Sequence, residues 1–219
     1  MPTTESFEAR DGDATVRGVV HVPDAATDDG IVLAHGAGAD RDSPVLRAVA
    51  TALAARGVTA LRIDLPFRQA RLKGPPTQGW AARDREGLAA AVDAQRRRGA
   101  RRIAIGGHSY GGRQASMLAA GAPDLAAALM LLAYPLHPPA RPDRRRVEHF
   151  GALRTPTVFV HGTRDPFGTV AELEAARATI AARTILVVVD GTGHDLGARR
   201  SGAPPFADDA AAALLTLFG

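Results

Sequence analysis

The chain has 219 residues, of which 46% are hydrophobic and 23% charged, a balance typical of folded globular proteins that excludes wholesale disorder. No apolar run approaches the roughly 18 to 20 residues that span a bilayer. Since the polar N-terminus also lacks the pattern of a secretory signal, we expect a cytoplasmic protein with no membrane partner. The sequence contains no cysteine, which excludes disulfides, thiolate metal sites and a cysteine nucleophile.

The charge balance is weakly basic, because 27 Lys and Arg against 23 Asp and Glu give a formal net charge of +4. Arginines cluster at positions 96–98, 101–102 and 144–146. No aromatic residues that could stack on bases interleave with these clusters, and the first one ends a predicted helix, where cations interact favourably with the helix dipole. We interpret the clusters as solvated surface and expect no nucleic-acid partner.

In chain order, the sequence begins with a predicted β-hairpin and continues with apolar, β-branched runs that alternate with helical stretches rich in Ala, Leu and Arg. The hairpin strands are predicted at residues 6–10 and 14–22, the later strands at 30–34, 58–63, 102–105, 127–133, 157–160 and 184–189, and the helices at 43–56, 80–98, 110–120, 169–183 and 206–218. The uniformly apolar strands favour a sheet covered on both faces. We therefore expect a single α/β domain over residues 1–219, with about eight mostly parallel strands and helices on both faces.

Two irregular connections, residues 66–79 and 136–153, each contain several prolines. Both follow the C-terminal end of a predicted strand, where an open α/β sheet binds its ligands. We predict that they form the walls of a pocket. The second connection is too short to fold into a helical cap, so we expect a minimal lid or none.

The segment Gly107-His-Ser-Tyr-Gly111 connects a predicted strand to a predicted helix and matches the G-x-S-x-G pattern of a nucleophile elbow. The two glycines allow the chain to reverse sharply, which would expose the hydroxyl of Ser109 near the N-terminus of the helix. In the alternative interpretation, Ser109 is only a helix N-cap after a glycine turn.

A serine hydroxyl needs a histidine base and an orienting carboxylate before it can act as a nucleophile, and with this elbow they follow in the order Ser, acid, His. Of the seven histidines, His194 is the predicted base, because it lies in the glycine loop after the last predicted strand. Asp165 comes just after the preceding strand and is the predicted acid. Asp190 is the alternative acid.

Stabilisation of a tetrahedral oxyanion requires two backbone N–H groups. We predict that Tyr110 supplies one and Ala37, in a loop of small residues, the other. The same loop supports an alternative, because Gly36-x-Gly38 begins a dinucleotide-binding fingerprint with Asp64 as its ribose-binding acid. That fingerprint lacks its third glycine and leaves the serine, acid and histidine unexplained. No spacing of His or carboxylates indicates a metal site, so we expect neither metal nor cofactor.

The chain resembles the α/β-hydrolase fold family over essentially its whole length. Four of its segments resemble, more narrowly, a dienelactone-hydrolase-like branch of that family. That branch includes the hydrolase-like domain of a nuclear acetyltransferase-complex subunit. The segments are His35-Gly-Ala-Gly38, Gly107-His-Ser-Tyr-Gly-Gly-Arg113, Tyr134-Pro-Leu-His-Pro-Pro139 and His161-Gly-Thr-Arg-Asp-Pro-Phe167. The resemblance implies Ser109, Asp165 and His194 as a catalytic triad, with Tyr110 and Ala37 as oxyanion donors. The chain departs from true dienelactone hydrolases, which use Cys in place of Ser109, and from the dehalogenase and epoxide hydrolase branches, whose nucleophile is Asp.

We therefore expect a serine hydrolase that cleaves a small-molecule carboxylic ester or thioester through an acyl-enzyme, as a monomer or homodimer. The alternatives are a non-catalytic binding or scaffold module with this fold, or an acyltransferase that uses the same triad. The candidate substrate-binding residues are Phe67, Trp80, His137 and Phe167.

Overall fold

A single sheet of eight strands organises the residues that the computed structural model describes, which are 2–12, 14–77, 79–199 and 206–218. The strands are β1 (Thr3–Asp11), β2 (Ala14–Val22), β3 (Asp29–Ala34), β4 (Thr59–Asp64), β5 (Arg102–His108), β6 (Ala128–Leu132), β7 (Thr157–Gly162) and β8 (Thr184–Val189). The helices are α1 (Pro44–Ala54), α2 (Pro66–Ala70), α3 (Trp80–Arg97), α4 (Tyr110–Gly121), α5 (Val170–Arg177) and α6 (Phe206–Phe218).

The strands lie in the order β1-β2-β4-β3-β5-β6-β7-β8. The first two form the predicted hairpin, in which Asp11 pairs with Ala14, and β2 also runs antiparallel to β4. The remaining neighbours are parallel. The predicted fold class is confirmed, and the carboxyl ends of β3, β5, β7 and β8 meet at one edge of the sheet.

Helices cover both faces of the sheet, and the alternation of side chains along each strand determines which helix they contact. In β3, Val32 and Ala34 join a core that includes Leu88 of α3. Ile31 and Leu33 point to the opposite face, where the core includes residues of α1 and α6. Two buried layers therefore enclose the central strands, which explains why these strands are uniformly apolar.

The edge strand β8 departs from the predicted burial. The apolar run Thr184–Val189 predicts a strand covered on both faces, yet its residues are only partly buried and Val188 is 47% exposed. The reason is its place in the sheet, because β8 has a neighbour on one side only.

Two helices also differ from prediction. The helix predicted over residues 169–183 ends at Arg177, where Thr179 N donates to the Ala176 carbonyl and Ile180 N to the Arg177 carbonyl, so that turn-like bonds replace the helical pattern as the chain buries Ile180. The segment predicted as an irregular wall contains α2, a short helix that starts at Pro66, where proline's fixed φ suits the first helical position.

The connection between β6 and β7 carries no helical cap. Within residues 136–153, the only helical element is a 3-10 turn at Phe150–Ala152. On the other side of the same sheet edge, residues 71–77 form an open loop in which Leu72 is 88% exposed. In the described part of the chain, no helix is both long and apolar enough to cross a membrane.

The approach of the elbow to β3 yields a stability prediction. Gly107 has φ +155°, and a Cβ there would lie 2.0 Å from the Ala34 carbonyl oxygen. We expect Gly107→Ala to lower the free energy of unfolding by about 3 kcal/mol or more, since backbone on both sides must move. The control is Gly121→Ala, because a Cβ at Gly121 meets nothing within 4 Å and the change should stay within about 1 kcal/mol. Urea unfolding measures both variants, and equal losses would contradict the account.

Candidate active site

Ser109 lies at a strained turn between β5 and α4. Its φ of 52° and ψ of −112° place it outside the regions that side-chain-bearing residues prefer. The turn is held because Ser109 N donates to the Leu132 carbonyl at 2.8 Å and Arg113 N donates to the Ser109 carbonyl at 3.0 Å. Close packing also requires Gly111, where a Cβ would come within 2.4 Å of the Ala34 carbonyl oxygen. This geometry matches the nucleophile elbow that the G-x-S-x-G pattern predicts.

The side chains of Ser109, His194 and Asp165 form one chain of hydrogen bonds. The Ser109 Oγ lies 2.8 Å from His194 Nε2, and His194 Nδ1 lies 2.8 Å from Asp165 Oδ2. The Asp165 carboxylate is fully buried, whereas the His194 side chain is 22% exposed. The carboxylate accepts a hydrogen bond from Nδ1–H, which leaves Nε2 unprotonated and able to accept the serine proton. The arrangement can therefore raise the nucleophilicity of the Ser109 hydroxyl.

The turn after β7 holds the carboxylate of Asp165. Asp165 Oδ1 accepts a hydrogen bond from Phe167 N at 2.9 Å, which is the local Asx turn that the sequence Asp-Pro-Phe-Gly favours. The same turn brings the Phe167 ring against the His194 imidazole, with 4.2 Å between ring centroids and 33° between planes. One carboxylate thus fixes both the imidazole and the aromatic ring beside it.

His108 supports the loop that carries His194. Its Nε2 lies 2.7 Å from the His194 carbonyl oxygen and donates to it. Burial is the main cause that lowers the pKa of His108 to about 4, and the neighbouring His194 adds to the effect. The ring is therefore neutral near pH 7, which allows one nitrogen to donate without placing a second cation beside His194. No pattern in the sequence predicts this supporting contact of His108.

The predicted oxyanion donors are the amide of Tyr110, the residue after Ser109, and that of Ala37 in the loop after β3. The loop after β3 is close, since a Cβ on Gly36 would lie 3.6 Å from Ser109 Cβ. The amides of Ala37 and Tyr110 donate no hydrogen bond to any residue that the structure describes, so both can donate to a bound oxygen.

His35 orients the Ala37 amide. Its Nδ1 lies 2.8 Å from the Gly36 carbonyl oxygen, and its Nε2 accepts from Leu65 N at 3.2 Å. Burial lowers the pKa of His35, which favours the neutral ring that this pair of contacts needs. In a trans peptide, the Ala37 N–H points away from the Gly36 carbonyl. The hydrogen bond from His35 therefore fixes the direction in which the Ala37 amide donates.

Asp84 of α3 is a fully buried acid that the sequence analysis missed. Its Oδ2 accepts from the Tyr110 hydroxyl at 2.7 Å and its Oδ1 from Phe67 N at 3.0 Å. Burial raises the pKa of Asp84, although both hydrogen bonds act in the opposite direction. Helical spacing is the signal that could have found it, because Asp84, Gly87 and Leu88 share the buried face of α3.

The four residues predicted to bind substrate occupy different environments. Phe67 is 1% exposed and packs edge-on against His35 and Tyr110, beneath the amides rather than at an open surface. Trp80 is half-buried at the start of α3, under the guanidinium of Arg83. His137 is 6% exposed and lies 3.4 Å from Glu172. Of the four, Phe167 is the one in contact with His194.

The alternatives raised by the sequence have other contacts. Asp190 is exposed and accepts from Thr163 Oγ1 at 3.1 Å, so Asp165 is the acid in contact with His194. Asp64, the ribose-binding candidate, is paired with Arg41 at 2.9 Å. In the parts of the chain that the structure describes, no group of three or more His, Asp or Glu residues could hold a metal ion.

Buried histidines make the fold sensitive to acid. Burial is the largest cause that lowers the pKa of His21, His108 and His149, each to about 4. Unfolded histidines titrate near pH 6.5, so the unfolded chain binds more protons as the pH falls towards 4. The contribution of these histidines to the free energy of unfolding should therefore be fully present above about pH 6.5 and be lost as the pH falls towards 4. The raised pKa of Asp84 acts in the opposite direction.

Urea unfolding at pH 7.5 and pH 5.0 measures this decline. His149→Gln should reduce the difference between the two free energies of unfolding, because it removes one of the titrating histidines. Glutamine can still donate to Ser116 Oγ, which lies 2.8 Å from His149 Nε2. Equal stability of the wild-type protein at both pH values would contradict the expectation.

Comparisons with known proteins identify the fold and the family of this chain. A family model described as an alpha/beta hydrolase domain matches residues 27–213. The chain is similar to a dienelactone hydrolase from Anabaena variabilis, with 24% identity over 98% of both chains and a TM-score of 0.77. It is similar to an alpha-beta serine hydrolase homologue from Coxiella burnetii, with 17% identity over 96% of this chain and 97% of that one and a TM-score of 0.77. It is also similar to Est1E from Butyrivibrio proteoclasticus, with 17% identity over 97% of this chain and 98% of that one and a TM-score of 0.76.

Structural likeness at these identities shows the fold alone, and the match to the family model shows the family. Because that model covers most of its length, the chain belongs to the alpha/beta hydrolase domain family.

Proposed function

We propose that this alpha/beta hydrolase is a serine hydrolase that cleaves a carboxylic ester or thioester through an acyl-enzyme. The observation that carries the proposal is the continuous hydrogen-bond chain from Asp165 through His194 to Ser109, with 2.8 Å at each step. A non-catalytic scaffold would not require a buried carboxylate that is hydrogen-bonded to an imidazole, or an imidazole that contacts a strained serine.

In the first half-reaction, Ser109 Oγ attacks the carbonyl carbon of the substrate while its proton moves to His194 Nε2. The carbonyl π electrons move to oxygen, and the amides of Ala37 and Tyr110 donate to that oxyanion. When the tetrahedral intermediate collapses, the bond to the leaving group breaks, and His194 returns the proton to the departing alcohol or thiol. The acyl group is then bound to Ser109 as an ester.

In the second half-reaction, a water molecule takes the position of the departed alcohol or thiol. His194 Nε2 takes a proton from the water, the hydroxide attacks the acyl carbon, and collapse of the second tetrahedral intermediate releases the carboxylic acid. The proton on His194 returns to Ser109 Oγ. Asp165 stays ionised throughout and stabilises the imidazolium that forms twice in each cycle.

The acyl-enzyme can also pass its acyl group to an alcohol, in which case the same residues act as an acyltransferase. A panel of p-nitrophenyl esters and aryl thioesters of increasing acyl length, assayed with and without competing alcohols, separates the two activities by their products. Acid release that Ser109→Ala lowers by orders of magnitude supports the hydrolase. Acyl transfer to the added alcohol at every substrate would support the acyltransferase, and no turnover of any member would contradict both.

A further inference from the structure

A buried arginine, Arg68 in α2, forms hydrogen bonds to the loop that carries the Ala37 amide. Arg68 is 6% exposed, and its guanidinium donates from Nε to the Ala39 carbonyl at 2.8 Å and from Nη2 to the Ala37 carbonyl at 3.0 Å. The Phe67 ring lies against it, with 5.0 Å between the guanidinium carbon and the ring centroid. No sequence pattern singles this residue out.

The same guanidinium also holds a second loop. Nη1 donates to the Arg71 carbonyl at 3.1 Å, and Nη2 donates to the Gly74 carbonyl at 3.0 Å. Arg68 therefore joins the loop of residues 37–39 to the start of the predicted pocket wall. Lysine could not make this set of contacts, because its ammonium lacks the planar fork of five donors.

The contacts of Arg68 and His35 complement one another. His35 holds the Gly36 carbonyl and Arg68 holds the Ala37 carbonyl, so the carbonyls on both sides of the Ala37 α-carbon are fixed. The described chain contains no cis peptide, and in a trans peptide the N–H points opposite to the carbonyl. The two side chains therefore determine the directions in which the Ala37 and Gly38 amides donate.

The charge of Arg68 also acts on the site. No carboxylate of the described residues lies within ion-pair distance of Arg68, and the nearby Asp64 is already paired with Arg41 at 2.9 Å. Carbonyl dipoles and the face of the Phe67 ring are the groups that the structure shows in contact with this buried cation. A buried positive charge in contact with the loop of residues 37–39 favours negative charge nearby, and the low local dielectric strengthens that effect.

We propose that Arg68 is a positioning residue that pre-organises the loop carrying the Ala37 oxyanion donor and joins it to residues 71–77 of the predicted pocket wall. The inference rests on the proposed serine hydrolase function and deepens it. Its consequence is a selective loss in the transition state, because the amides are needed most when the carbonyl oxygen becomes an anion.

The test compares Arg68→Gln and Arg68→Lys with wild type on one ester. Arg68→Gln should lower kcat about 10- to 100-fold, the scale expected when reacting groups are misplaced, while KM changes less than about threefold. Arg68→Lys keeps the charge but loses hydrogen-bond donors, so its kcat should lie between those of wild type and Arg68→Gln. The affinity for a trifluoromethyl ketone analogue, which forms an anionic tetrahedral adduct with Ser109, should fall in parallel with kcat.

Arg62→Gln is the matched control. The Arg62 side chain is 4% exposed and also donates to a backbone carbonyl, that of Arg41. Removing this arginine should lower the free energy of unfolding but leave kcat of the folded protein within about threefold of wild type, since it does not contact residues 37–39. Unfolding curves for every variant check that the folded state is assayed, and Arg68→Lys carries the test if Arg68→Gln does not fold.

Unchanged kcat in Arg68→Gln, an equal loss in Arg62→Gln, or a loss confined to KM with unchanged affinity for the ketone would overturn the inference. The proposed function fails separately, when wild-type protein neither hydrolyses esters nor reacts at Ser109 with a fluorophosphonate.

Discussion

Replacing Ser109 with alanine should lower kcat for ester hydrolysis by about 10⁴- to 10⁶-fold, the range expected when a triad nucleophile is removed. The loss has a direct cause, since Ser109 carries the one hydroxyl in hydrogen-bond contact with the His194 imidazole among the residues that the structure describes. Folding should persist, because alanine keeps the backbone bonds to Leu132 and Arg113. Residual hydrolysis above the rate in water should remain, because the Ala37 and Tyr110 amides still stabilise the oxyanion.

Ser116→Ala is the matched control for this prediction. Ser116 is a buried serine of α4, the helix that follows Ser109, and its Oγ lies 2.8 Å from a different imidazole, that of His149. Losing that hydrogen bond should lower stability by about 1 kcal/mol and leave kcat nearly unchanged. Steady-state assays on purified proteins measure both variants. Wild-type activity in Ser109→Ala, or an equal loss in Ser116→Ala, would contradict the assignment of the nucleophile.

Replacing Asp165 with asparagine should lower kcat by about 10³- to 10⁴-fold with little change in KM. An amide nitrogen facing His194 Nδ1 donates where the carboxylate accepts, which turns the imidazole to the tautomer that cannot take the Ser109 proton. The buried negative charge that stabilises the imidazolium is also lost. The turn should survive, because asparagine can still accept from Phe167 N.

Asp195→Asn is the control for Asp165→Asn, because Asp195 is adjacent to His194 in the chain and accepts from Gly197 N, as asparagine also can. It should keep kcat within a few-fold of wild type. Asp190→Asn tests the alternative acid. Steady-state kinetics of the three variants decide the point, and a larger loss of kcat in Asp190→Asn than in Asp165→Asn would reverse the assignment.

Local patterns predicted how the sheet is built and the sheet edge at which the three candidate side chains lie. The apolar runs and the glycines around Ser109 are short-range signals, and the order Ser, acid, His then selects Asp165 and His194 from many candidates. The structure brings these three side chains into contact. Burial of β8 was predicted wrongly, because the run Thr184–Val189 does not reveal that its strand lies at the edge.

Contacts between distant segments account for what the sequence analysis missed. Arg68 lies in a proline-rich stretch predicted to be irregular, and only the folded chain brings the carbonyls of Ala37 and Ala39 to its guanidinium. Asp84 had a local signal in its helical spacing, but its partners Tyr110 and Phe67 come from other elements. Polar groups buried in this way depend on tertiary geometry that propensity and periodicity do not encode.

Intact-mass spectrometry of the protein after reaction with a fluorophosphonate tests the central claim most directly. The account predicts one phosphonyl adduct per wild-type chain, located on Ser109 by peptide mapping, with no adduct in Ser109→Ala and greatly slowed labelling in His194→Gln. Absence of an adduct from folded wild-type protein, or equal labelling of Ser109→Ala, would contradict it.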